Sequence, residues 1–161
     1  VESIPEDLAL KQQFFKRLAR VAPTKTILAS NTSGISVSAI GEGCEDPERI
    51  LTTHFWNPPH LMPLVEVVMG QRTFESAAQQ TAAILKRCGK IPVLVRKDTP
   101  GQLGNRLQHA LVREAIHIIH EGIATAEDVD LAVKNGFGLR LPVWGVLEHA
   151  DAVGLDLVKS V

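Results

Sequence analysis

The chain has 161 residues, 45% of them hydrophobic and 22% charged, with 12 Gly and 9 Pro. That is globular composition, and it excludes a disordered, collagen-like or disulfide-built chain. Seventeen basic residues against 18 acidic ones leave a net charge of -1. With no basic cluster this points away from nucleic acid, and apolar runs such as 64–69 are too short for a membrane span.

Ser3-Ile4-Pro5-Glu6 has the form of a capping box with Pro inside the helix start, and Leu8, Phe15 and Leu18 continue it as one apolar face. Residues 25–30 read as a short buried strand that runs into the polar Asn31-Thr32-Ser33-Gly34. Residues 50–55, rich in Thr and Ile, form a second strand ending in Trp56-Asn57-Pro58-Pro59. A third strand covers 64–69 and is closed by Gly70. Residues 74–88 are helical with Gly89 as the stop, and 91–95 are the last strand. Helices alternating with apolar strands define an α/β layered sheet.

From Thr99 onward the pattern is all helical, so the join lies near 96–100. One long helix spans 102–121 and ends at Gly122. Thr125 caps a second, which runs to Gly136, and a third begins at Leu141 with Pro142. The chain starts at Val1 directly before a helix signal and ends at Val161 inside an amphipathic stretch, so it reads as a piece of a longer protein. Cys44 and Cys88 lie far apart in no metal or redox spacing, which fits a reducing compartment, most simply the cytoplasm.

His54 ends one strand and Glu66 sits in the middle of the next. Strand ends at one edge of an open α/β sheet are where ligands bind. A turn between these strands can join imidazole and carboxylate into a general-base pair, in which the carboxylate fixes the tautomer and raises the basicity of the other nitrogen. The alternative is a surface His beside an unrelated Glu. Against it, a lone carboxylate within Leu64-Val65-Glu66-Val67-Val68 is costly without a partner.

Asn31, Thr32 and Ser33 stand where a ligand could be met, but they equally suit a turn or a cap. Glu6 has a sufficient job in the capping box. Asn105 lies inside a helix, where Asn is mildly unfavourable, so it can serve a ligand or a neighbouring element. His117, His120 and Glu121 have ligand-like spacing, and His109 and Arg113 share the face of His117. No further Cys or His completes a zinc set, so a solvated face is the simpler reading. Trp56 and Trp144 read as packing residues. Gly41-Glu42-Gly43 and Gly136-Phe137-Gly138 both lack the third glycine of a dinucleotide fingerprint.

Five stretches in register carry a resemblance. They are 1–6 with Lys11, Ala29-Ser30-Asn31-Thr32-Ser33, His54-Phe55-Trp56-Asn57-Pro58, Leu64-Val65-Glu66-Val67, and Asp98-Thr99-Pro100-Gly101 followed by Asn105-Arg106-Leu107. Together they resemble the L-3-hydroxyacyl-CoA dehydrogenase family over essentially the whole chain. The resemblance implies that 1–97 are the back part of a Rossmann-like NAD-binding domain and 98–161 the front of an all-helical substrate and dimerisation domain. The glycine fingerprint would then precede Val1.

It further implies NAD as cofactor and oxidation of a 3-hydroxyl, as in fatty-acid β-oxidation, in a homodimer built on the helical domain. His54 would be the general base and Glu66 its orienting partner. Ser33 and Asn105 would lie near the reacting oxygen, and Glu6, Lys11, Ser33 and Asn57 on the cofactor side. The substrate would be an acyl-CoA or a small 3-hydroxy acid. Two departures bear on which one. Pro59 and Pro63 flank His60 in a stretch where many acyl-CoA members carry a basic residue just before the Leu-Val-Glu, and this Pro-rich version, with Gly138-Leu139-Arg140, looks like the gulonate and carnitine branch. Gly104 stands where a larger apolar residue is common. A crystallin-like structural module on the same scaffold is the non-catalytic alternative.

Overall fold

Four strands pair in the order β1-β2-β3-β4 in the computed structural model, which describes residues 1–154. β1 (Leu28–Ser30) runs parallel to β2 (Ile50–Phe55), β2 antiparallel to β3 (Leu64–Met69), and β3 parallel to β4 (Ile91–Val95). The two central strands are buried almost end to end. Both faces are covered, so neither strand shows the polar alternation of a half-exposed sheet.

Successive residues of β2 serve opposite faces, as the two-residue period requires. Ile50 joins Phe15, Ala19, Leu28, Val37 and Ile40 beneath α1 (Leu8–Val21). Leu51 joins Val65, Val67, Ala78 and Leu85 beneath α3 (Glu75–Arg87). The short α2 (Val37–Ile40), which no periodicity announces, lies in the β1–β2 crossover. Asp98 accepts the Ser38 amide at 2.8 Å, tying the end of the sheet unit to this turn. Phe15, fully buried, contributes about 1.5–3 kcal/mol. Arg49 crosses under α1 and donates to the carbonyls of Ala19 at 2.6 Å and Pro23 at 2.7 Å, satisfying acceptors at the helix end.

Three expectations about element ends are corrected. The first helix begins at Leu8, not in a Ser3–Glu6 capping box. Asp7 is the cap, its carboxylate accepting the Leu10 amide at 2.8 Å. Residues before it extend the sheet instead, because Glu2 donates to Ala29 O at 2.8 Å and accepts from Asn31 N at 2.9 Å. Leu8 is consequently exposed, and the buried face of α1 is Lys11, Phe15 and Ala19. The first strand is only Leu28–Ser30. The last helix starts at Val146 rather than Leu141, since the amides of Val143 and Trp144 both turn back onto Arg140 O.

Contacts divide the chain into two compact units, Val1–Leu107 and the residues from Gln108 onward. α4 (Gly104–His120) starts in the first unit and continues into the second, which also holds α5 (Ala126–Asn135) and α6 (Val146–Val153). Thr125 caps α5 through the Asp128 amide at 3.1 Å, as its sequence signal indicates. The helical unit carries exposed apolar side chains at Leu111, Ile116, Ile119 and Leu131.

Candidate active site

The β2–β3 register places His54 directly opposite Glu66. Opposed residues of an antiparallel pair share one face of the sheet. The Nδ1–Oε2 distance is 2.7 Å, with His54 6% exposed and Glu66 completely buried. Glu66 is satisfied on both oxygens. Oε2 also accepts the Trp56 indole N–H at 3.0 Å, and Oε1 accepts the backbone amides of Leu103 and Gly104, each at 2.9 Å. Those amides open α4, so the carboxylate sits at the positive end of a helix.

Burial pushes the Glu66 carboxyl up. Hydrogen bonds from His54, the Gly104 and Leu103 amides and Trp56 outweigh it and hold the group at about 2, from an ordinary 4.5. Glu66 is therefore ionised at neutral pH and can only accept. It follows that His54 Nδ1 carries a proton. In the neutral imidazole the lone pair then lies on Nε2, the tautomer a general base needs.

The other candidate residues sit on the turns around this pair. At the end of β1, Asn31 Oδ1 accepts the Phe55 amide at 3.0 Å, stitching the loop to β2. Thr32 Oγ1 accepts the Ile35 amide at 2.9 Å and donates to the Glu6 carboxylate. Asn31 and Thr32 thus do the turn and capping work, while Ser33 between Thr32 and Gly34 is exposed. Glu6 is also exposed. Partial burial raises its carboxyl, and the bonds from Thr32 and Gly34 with the charge of Lys11 bring it below its ordinary value.

Lys11 is 1% exposed and lies beneath this loop. Its Nζ donates to Glu2 at 2.9 and 3.1 Å and stands 3.6 Å from Glu6. Asn57 is exposed just after Trp56, and Asn105 is half-buried just after Gly104. Gln102 Nε2 donates to Thr32 O at 3.1 Å, linking the loop of Ser33 to the start of α4 and hence to Asn105. The structure therefore joins His54 and Glu66 directly, and ties the segments carrying Ser33 and Asn105 to each other.

Sequence reasoning missed Trp56, Gln102 and the two amides. For Trp56 a signal existed: two residues beyond His54 it falls on the same side of an extended chain. Gln102 has a positive φ of 50°, a conformation that residue type does not announce. Amides announce nothing.

The described residues thus form a mixed sheet with a parallel β1–β2 crossover, followed by helices. Comparison with known proteins makes this specific. The family model for the 3-hydroxyacyl-CoA dehydrogenase NAD binding domain matches residues 1–99, and that for the 3-hydroxyacyl-CoA dehydrogenase C-terminal domain matches 101–161. The chain belongs to the 3-hydroxyacyl-CoA dehydrogenase family.

It is 39% identical over 161 residues to a probable 3-hydroxybutyryl-CoA dehydrogenase of Bacillus subtilis, covering 100% of this chain and 55% of that one. It is 41% identical over 144 residues to the L-carnitine dehydrogenase of Streptomyces coelicolor, covering 89% and 45%. The crystal structure of 5-formyl-3-hydroxy-2-methylpyridine 4-carboxylic acid 5-dehydrogenase, an NAD+ dependent dismutase, superposes with a TM-score of 0.90 at 34% identity, covering 98% of this chain and 51% of that one. The chain spans about half the length of the curated relatives it matches.

Proposed function

We propose that the protein containing this chain oxidises the 3-hydroxyl of an L-3-hydroxyacyl-CoA to the 3-ketoacyl-CoA with NAD. The observation that carries the reading is the 2.7 Å His54–Glu66 pair with Glu66 held ionised. His54 Nε2 takes the hydroxyl proton, and Glu66 stabilises the imidazolium that results. Ser33 and Asn105 hydrogen-bond near the reacting oxygen and align it. Among the described residues, the side chains of Ser33, Asn57 and Asn105 make no hydrogen bond, which leaves them open to a ligand.

The residues present fit the nicotinamide side of NAD. The exposed Glu6 carboxylate and Ser33 hydroxyl stand beyond the carboxyl end of β1, the edge at which such sheets bind ligands. Asn57 joins them from the end of β2, and Lys11 acts from beneath by holding Glu2 and Glu6. Bound NAD supplies the hydride acceptor.

In this reading 1–97 belong to the cofactor domain and 98–161 to the helical domain. The exposed apolar side chains of the helical unit are the material for a homodimer. No helix of the described residues is long and apolar enough to cross a membrane. The free thiols of Cys44 and Cys88 fit a reducing compartment, and on that ground we place the protein in the cytoplasm.

A second reading, oxidation of a small polar substrate such as carnitine, draws on the L-carnitine dehydrogenase relative and on the turn before Glu66. Lys90 Nζ donates to the carbonyls of Pro59 and Met62, the latter at 3.0 Å, and pins that turn. The test is NADH formation by the complete protein on 3-hydroxybutyryl-CoA, L-carnitine and L-gulonate. The proposal expects kcat/KM for the CoA ester to exceed the others by roughly tenfold or more. The reverse order assigns the second reading, and no NADH from any of them overturns both.

A further inference from the structure

Trp56 and Gly104 meet at the Glu66 carboxylate. The indole Nε1 donates at 3.0 Å to the same Oε2 that binds His54 Nδ1, and its ring lies over Gly104. A Cβ at Gly104 would stand 2.3 Å from Trp56 Cζ2 and 3.1 Å from Cη2. The nearest atoms belong to a rigid ring held by its own hydrogen bond, so the clash is not relieved by a flexible tip. Gly104 is not among the positive-φ glycines, which leaves space rather than backbone conformation as its reason. Gly104 opens α4 with a poor helix-forming residue, and the indole is what that choice accommodates.

We propose that Trp56 is a positioning residue for the base and Gly104 its size partner: the indole fixes the rotation of the Glu66 carboxylate and draws on the oxygen that stabilises protonated His54. This rests on the reading of His54 as general base. An N–H shared with a carboxylate oxygen is a charge-assisted bond that takes up part of its negative charge. With two donors on Oε2, less of that charge remains for the imidazolium. The groups facing the carboxylate are His54 from β2, Trp56 just after it, and the backbone amides of Leu103 and Gly104 at the start of α4. No other charged side chain of the described residues contributes to its shift.

The test uses the complete protein. Trp56→Phe removes the N–H and the ring atoms over Gly104. The acid limb of its kcat/KM–pH profile is expected to move up by about 0.5–1 pH unit, with a plateau loss of roughly threefold to tenfold. The ring nitrogens of His54, followed by NMR titration without substrate, should move their midpoint in the same direction. Gly104→Ala should displace the indole and reproduce the shift. In the Trp56→Phe background, which has lost the atoms it meets, the same alanine should cost much less, a non-additive cycle. That double variant also refills the gap if Trp56→Phe alone folds poorly. A limb and midpoint that stay in place in Trp56→Phe, or additive losses for the pair, overturn the proposal. Persistence of the limb in His54→Ala would instead overturn the base assignment, and the NMR midpoint separates the two failures.

Discussion

Replacing His54 by alanine in the complete protein is expected to lower kcat by roughly 10²- to 10⁴-fold, the usual contribution of a positioned general base. The loss should fall on kcat more than on KM. In the proposed site Ser33 and Asn105 lie on other segments and Asn57 just beyond the end of β2, so their ligand contacts would remain while the proton acceptor is gone. Added imidazole should restore part of the rate, because the deletion opens space beside Glu66, which keeps its remaining bonds to Trp56, Leu103 and Gly104. Steady-state kinetics with and without imidazole checks this, and wild-type turnover in the variant would place the base elsewhere.

Glu66→Ala is expected to cost both activity and stability. It strands four donors in a buried place: His54 Nδ1, Trp56 Nε1 and the amides of Leu103 and Gly104. Leaving them unpaired costs about 3–5 kcal/mol, measured as a fall in the urea midpoint. The pH dependence has a definite sign. The folded carboxyl is depressed to about 2 from an ordinary 4.5, so its contribution is complete above about 4.5 and is lost as pH falls from there through about 2. That loss is on the order of 3 kcal/mol. Glu66→Gln, which titrates nowhere in this window, should lack this part of the acid destabilisation. An unchanged pH slope in the Gln variant would show that Glu66 is not the group held ionised.

Much of this arrangement is legible in the sequence. Residues 50–55 and 64–69 announced themselves by composition, and their observed limits agree because both strands are buried along their length. The cost of a lone carboxylate in an apolar strand argues for a partner to Glu66 without naming it, and the antiparallel register supplies His54. The start of the first helix was not legible. Ser3 and Glu6 have the right spacing for a box, but Glu2 is captured by β1, a long-range pairing that local spacing does not encode. Lys11 was legible as a family position and not as a buried one. Its burial depends on Glu2, held at the edge of β1, meeting its ammonium. The sequence marks Trp56 as a packing residue, and it does pack against Gly104, yet its N–H acts on the carboxylate. The oddity of a glycine at 104 was visible in the sequence, while the indole that explains it is distant along the chain.

The pH dependence of kcat/KM in the complete protein, wild type beside His54→Ala, tests the central claim most directly. If His54 is the base and Glu66 its ionised partner, the wild type shows an acid limb of one ionisation that is absent from the residual activity of the variant. The same limb in both proteins would mean that another group accepts the proton and that the His54–Glu66 pair is structural.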